Sequence, residues 1–128
     1  MFLGDLAKHI DVPVHFSFVK YSSYAATQST GKVKELIGLN DDLKGRHIIL
    51  VEDIIDTGLT MQSLLKNLEA KEVASVSIAS MLLKPDALKC ELQVDYLGFE
   101  IENAFVLGYG MDYNEYGRNL PEIYVLKE

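Results

Sequence analysis

The chain has 128 residues, 12 basic against 19 acidic side chains, a net charge of −7 and a single cysteine. That length suits one domain, and Leu, Ile, Val and Phe, 42 residues together, lift it well clear of disordered chains. The acidic balance without a Lys/Arg stripe argues against polymeric nucleic acid as a partner, the lone Cys90 excludes an intrachain disulfide, and apolar runs of no more than about four residues fall short of the roughly 20 that a membrane span needs.

The first residues carry no basic region and meet Asp5 early, so no secretory leader is expected and a cytoplasmic location is. Leu3, Leu6, Ala7 and Ile10 fall at helical spacing and predict a short amphipathic helix over Met1 to Ile10, closed by Pro13. Val14, Phe16 and Phe18 alternate with His15 and Ser17, the pattern of a half-buried strand. Tyr21 to Lys34 reads as a long mobile loop or hairpin, of a length that is usually functional. After the polar turn Asp41 to Arg46, the run His47 to Val51 predicts a buried central strand. From Thr60, the residues Met61, Leu64, Leu65 and Leu68 trace the apolar stripe of a helix packed on a sheet. Val73, Val76, Ile78 and Met81 to Leu83 predict a second buried strand, stopped by Pro85. Strand, helix and strand make a βαβ unit, which demands parallel pairing. Phe105 to Leu107 and Ile123 to Leu126 add two short strands. The expectation is one α/β domain over residues 1–128, with a mostly parallel sheet flanked by helices.

In such sheets ligands bind at the carboxyl ends of strands. There the chain places Glu52, Asp53 and Asp56, three carboxylates within five residues whose mutual repulsion calls for a cation. Thr57, Gly58 and Thr60 then open a helix, so free amides, two hydroxyls and the helix dipole converge as a phosphate cradle. The alternative is that Asp56 or Thr57 simply caps the helix. Neither a Walker loop nor a dinucleotide loop fits, because Gly108-Tyr109-Gly110 has Tyr113 where a third glycine belongs. Hydroxyl-binding acids beside a monophosphate site suit a phosphorylated sugar.

The stretch from Ile48 to Met61 resembles the phosphoribosyl-diphosphate motif of type I phosphoribosyltransferases, in the wording of their hypoxanthine-guanine branch. Ser22-Ser23-Tyr24 with Gln28 to Gly31, Lys84 after a strand, and Gly98 to Arg118 resemble further blocks of that branch in the same order. The resemblance implies the type I phosphoribosyltransferase fold and a Mg²⁺-dependent purine-salvage transfer, from phosphoribosyl diphosphate to hypoxanthine or guanine, giving IMP or GMP and pyrophosphate. It implies that Glu52 and Asp53 hold the ribose hydroxyls, that Asp56, Thr57, Gly58, Leu59 and Thr60 bind the 5-phosphate, and that Asp56 handles the proton at purine N7. Leu59 stands where some relatives place a lysine. Lys84 would donate to the 6-oxo group, with Phe105, Val106 and Asp112 completing the purine site. Arg118 would serve pyrophosphate, Glu52, Asp53 and Asp112 the metal, and Ser23 and Tyr24 a lid. Partners would be these small molecules and a second copy of the chain in a homo-oligomer.

Relatives carry an opening strand and a pyrophosphate loop before the helix that resembles Met1 to Ile10, so the chain is similar to an amino-terminally shortened copy, and weak or absent turnover is expected. A competing expectation is a non-catalytic nucleotide-binding or regulatory protein of the same fold. A receiver-type phosphoacceptor domain is a remote third, because Asp95 precedes rather than closes a buried strand.

Overall fold

The computed structural model describes residues 1–22, 34–37 and 42–127. Helix α1 (Phe2–Ala7) is shorter than its apolar spacing suggests. The turn beyond it tightens into three-residue bonds, His9 N–H to the Leu6 carbonyl and Ile10 N–H to that of Ala7, which end the α-helical ladder.

Val14, Phe16 and Phe18 do not form the expected strand. All three side chains are exposed, Phe18 to 70%, and no ladder among the described residues includes 13–19. Alternation supplies a face, but a strand also needs a neighbour to bond with. Regular pairing starts with β1 (Lys20–Ser22), antiparallel to β2 (Lys34–Ile37), with Tyr21 opposite Glu35. These strands frame the segment expected to be a loop or hairpin. Its interior, with Ser23 and Tyr24, lies outside the described residues.

Strand β3 (His47–Ile55), helix α2 (Leu59–Glu69) and strand β4 (Ser75–Leu83) form the expected βαβ unit. Their parallel register runs from His47 opposite Ser75 to Ile55 opposite Leu83. β3 therefore extends beyond the run ending at Val51, because Ile54 and Ile55 continue the ladder after the acids. Glu52 and Asp53 are strand residues, not part of a turn. A one-turn 3₁₀ helix (Pro85–Ala87) follows β4, and β5 (Tyr96–Glu100) then adds a parallel edge to the sheet. The sequence reading missed β5, since Tyr96 and Phe99 are mostly exposed and Gly98 interrupts any apolar run. The pairs expected at Phe105 to Leu107 and Ile123 to Leu126 shrink to β6 (Val106–Leu107) and β7 (Tyr124–Val125). They pair antiparallel with each other as a separate small sheet.

The stripe of α2 behaves as its spacing predicts: Met61, Leu64 and Leu68 are buried with Ile55, Ile78, Leu83 and Leu43. Leu68 is fully buried, a side chain that contributes about 1.5–3 kcal/mol on transfer from water. A second cluster joins Leu82, Val106 and Met111, with Ile54 packed against it. Successive strand residues point to opposite faces, so Ile54 and Leu82 against Ile55 and Leu83 place the two clusters on the two sides of the sheet. The β6–β7 layer thus covers one face near the carboxyl ends of β3 and β4. Asp95 finishes the opposite end of the sheet, its carboxylate accepting the Ile78 N–H at 2.7 Å. Among the described residues, no helix is long and apolar enough to cross a membrane.

The close approach of β5 to β4 yields a stability prediction. A Cβ on Gly98 would sit 2.6 Å from the Met81 carbonyl oxygen, a backbone atom held by the sheet, whereas one on Gly4 in α1 meets nothing within 4 Å. Gly98→Ala is expected to lower unfolding stability by about 1–3 kcal/mol, while Gly4→Ala raises it by about 0.5–1 kcal/mol. Urea unfolding of both variants checks this. Equal stability of Gly98→Ala and the parent would show that the strands can part at no cost.

Candidate active site

The end of the parallel sheet opens into a cleft of about 300 Å³, lined by Asp53, Ile54, Asp56, Lys84, Phe105, Val106, Met111, Asp112 and Arg118. Six residues singled out from sequence for a sugar phosphate or purine thus meet there with Arg118. Ile54 and Met111 are apolar walls that the sequence reading missed.

Because β3 and β4 are parallel and end together, Asp56 and Lys84 each follow the last residue of a paired strand. The Lys84 N–H donates to the Ile55 carbonyl at 3.0 Å. Its side chain is only 8% exposed, and its ammonium donates to the Asp56 carboxylate at 3.3 Å. Asp56 itself remains half-exposed. A buried ammonium needs a partner, and this one has a carboxylate open to the cleft. Lys84 is thus a buried donor and not a surface lysine lying along the sheet end.

Asp53 lines the cleft and accepts the Ile54 N–H at 2.8 Å. Glu52, its strand neighbour, does not reach the cleft wall. Burial, and then the neighbouring charge of Asp53, push the Glu52 carboxyl up to about 7. Among the described residues, no Lys or Arg forms an ion pair with either acid. No group of three or more His, Cys, Asp or Glu side chains there forms a ready metal cage. The pair nonetheless fits Mg²⁺, which uses one or two carboxylates and takes its remaining ligands from water and substrate phosphates. A cation beside them would relieve the repulsion that lifts Glu52.

Gly58, with φ of +75°, is the N-cap of α2, a residue without a side chain to cap it. Asp56 does not cap the helix, whereas the Thr57 hydroxyl accepts the Leu59 N–H at 3.4 Å. The first-turn amides of α2 beyond Leu59 keep donor capacity for an anion. Thr57, Gly58, Leu59 and Thr60 lie outside the cleft wall and continue the chain directly from Asp56.

Phe105 is half-exposed, its carbonyl tied by the Leu126 N–H at 2.9 Å. The Tyr113 ring packs edge-on to it, with centroids 5.7 Å apart at 81°. Val106 is buried in β6 opposite Val125. Asp112 is engaged at both oxygens: one accepts the Glu115 N–H at 2.8 Å, and the other meets the Arg118 guanidinium at 2.6 Å. Arg118 also donates to the Gly110 carbonyl at 2.7 Å, which closes the loop on itself. Tyr109, Asn114 and Glu115 take left-handed backbone in this loop, at about 1–3 kcal/mol each, so the clasp has strain to hold. The sequence reading gave Asp112 and Arg118 separate tasks. The structure pairs them. On the far side of the loop, the Tyr109 hydroxyl donates to Asp5 of α1.

Residues 1–114 match the phosphoribosyl transferase domain family. The chain is 47% identical over 128 residues to the hypoxanthine-guanine phosphoribosyltransferase of Streptococcus pneumoniae R6, covering 99% of this chain and 71% of that protein. It is 44% identical to the Bacillus subtilis enzyme of the same name, covering 98% of this chain and 71% of that protein. Among solved structures, a hypoxanthine phosphoribosyltransferase of Staphylococcus aureus superposes with a TM-score of 0.92 at 38% identity, over 98% of this chain and 69% of the other.

The position of Glu52 makes stability depend on pH. Its carboxyl is pushed from an ordinary 4.5 up to about 7 in the folded chain, so between those values the folded state binds more protons than the unfolded one. The contribution is full below about pH 4.5 and is lost as pH rises through 7, about 3 kcal/mol in all. In buffer free of divalent cations, Glu52→Gln is expected to be more stable than the parent at pH 7.5 and to lose this slope, as followed by urea unfolding. A parent stability that stays level, or rises, between pH 5 and 7 relative to the variant contradicts it.

Proposed function

This chain belongs to the hypoxanthine-guanine phosphoribosyltransferases, and we propose that it catalyses purine salvage, transferring the 5-phosphoribosyl group from phosphoribosyl diphosphate to hypoxanthine or guanine. The bond between the anomeric carbon and the pyrophosphate oxygen breaks with its electrons leaving on pyrophosphate. A bond from that carbon to purine N9 forms, giving IMP or GMP.

The observation that carries this is the pairing of Lys84 with Asp56 inside the cleft. A 6-oxopurine not yet joined to sugar offers an acceptor, O6, beside N7. Lys84 has donors and no acceptor, so it suits an oxo group, whereas the 6-amino group of adenine would face it with a second donor and leave an N–H of the buried ammonium without an acceptor. Asp56, next to it, accepts the proton of N7 as N9 becomes the nucleophile, which keeps positive charge from building on the base. Phe105 offers a ring face to the purine, and the backbone of Val106 meets its pairing edge.

The sugar phosphate lies along the strand end. Glu52 and Asp53 accept from the ribose hydroxyls, and the amides of 57–60 with the Thr57 and Thr60 hydroxyls hold the 5-phosphate. Leu59 contributes its N–H alone. Arg118 exchanges Asp112 and the Gly110 carbonyl for pyrophosphate, which frees Asp112 at the same moment. Glu52 and Asp53 would hold a Mg²⁺, and Asp112, apart from them, would serve a second, which when bound offsets the negative charge gathering on the leaving diphosphate. Exposed Tyr96 and Phe99 on the outer strand β5 support pairing of two copies of the chain.

Asp56→Asn keeps the side-chain size and removes the base. Turnover of hypoxanthine, followed as IMP formation, is expected to fall by about 10²–10⁴, the usual worth of a positioned general base, while IMP affinity changes little. An unchanged rate would remove Asp56 from the chemistry.

A further inference from the structure

The turn that follows Asp56 rests on a second strip of chain, residues 85–92, to which neither the sequence reading nor the reaction gives a task. Gly58 is buried, and a Cβ there would lie 3.0 Å from Cys90 Sγ and 3.1 Å from Leu88 Cδ2. The same strip grips the preceding residue. The Lys89 N–H donates to the Thr57 carbonyl at 2.9 Å, and the Cys90 thiol donates to the same oxygen at 3.8 Å. A peptide group is planar and trans, so a carbonyl held toward the strip turns the Gly58 N–H away from it. The strip follows Lys84 directly and reaches Leu88 through the 3₁₀ turn Pro85–Ala87. It therefore joins the buried donor of the cleft to the turn at the start of α2.

We propose that Cys90, with Leu88 beside it, is a positioning residue for the 5-phosphate: it holds the Thr57–Gly58 peptide in the orientation that presents the following amides to the ligand. This rests on the assignment of residues 57–60 to the phosphate. The fit is two-sided. With Gly58 in left-handed backbone, a Cβ there would press on the thiol at 3.0 Å, and the thiol in turn lies within reach of the Thr57 carbonyl. The thiol is a small, neutral, weak donor, so it adds to the Lys89 N–H bond on that carbonyl without placing a charge beside the phosphate.

Calorimetric binding of IMP and of inosine, which lacks the phosphate, to the parent and to Cys90→Ala, Cys90→Ser and Cys90→Leu tests this. Cys90→Leu, which presses on Gly58, is expected to weaken IMP about tenfold. Cys90→Ala, which removes the thiol and leaves the Lys89 N–H alone on the Thr57 carbonyl, weakens it about threefold, and Cys90→Ser, which restores a donor, recovers most of that loss. Inosine affinity stays within about twofold throughout. A residue that merely fills space would weaken both ligands together, so parallel losses, or no loss of IMP affinity in Cys90→Ala and Cys90→Leu, overturn the proposal. If the parent itself binds IMP no better than inosine, the assignment of 57–60 to phosphate fails, and this inference fails with it.

Discussion

The structure depends on the parallel ladder between β3 and β4. Its last rungs, Ile54 to Leu82 and Ile55 to Leu83, bring two chain segments to the same edge of the sheet at the same height. Asp56 and Lys84, 28 positions apart, then meet one residue past the final rung. Antiparallel pairing would put them at opposite ends of the sheet. A slip of one residue would reverse the faces, turning Ile55 away from the α2 core and Ile54 toward it. The register is secured by the apolar residues of both faces, with Ile55 and Leu83 under α2 and Ile54 and Leu82 under the β6–β7 layer. Packing on both sides of the sheet therefore sets the electrostatic geometry of the cleft.

That geometry also answers how an acidic chain, net −7, can take polyanionic substrates. Two cations of the cleft are already paired, Lys84 with Asp56 and Arg118 with Asp112. In the proposed site, attraction for phosphate rests on neutral dipoles, the amides at the start of α2, whose strength does not depend on net charge. The acids of β3 stand on the other side of this division. Burial and mutual repulsion keep Glu52 protonated well above the ordinary carboxylate range, a condition that a bound cation relieves. The proposed phosphate and metal sites thus draw on different parts of one strand-turn-helix.

Much of this was legible in the residues, and what was not has identifiable physical reasons. The stripe Met61, Leu64, Leu68 reports helix burial because one helix face sees one environment. The acid cluster and Gly58 mark the strand end because both are costly anywhere else. The failure at Val14, Phe16 and Phe18 shows the limit of alternation, which describes one strand and is silent about its neighbour. β5 was missed for the opposite reason: its pairing with β4 is sound, but its side chains are largely exposed and it carries the glycine that the Met81 carbonyl requires. The pairing of Asp112 with Arg118, and the strip at 88–90 under Gly58, are contacts between segments. Neither is encoded in local spacing.

The most direct test of the account is a crystal structure of this chain with IMP. The account places the phosphate oxygens within about 3 Å of the amides of residues 57–60, the purine O6 at a similar distance from Lys84 Nζ, and the purine ring against Phe105. A nucleotide whose phosphate sits on Arg118 with the 57–60 amides left to solvent, or whose base lies outside the cleft, would contradict it.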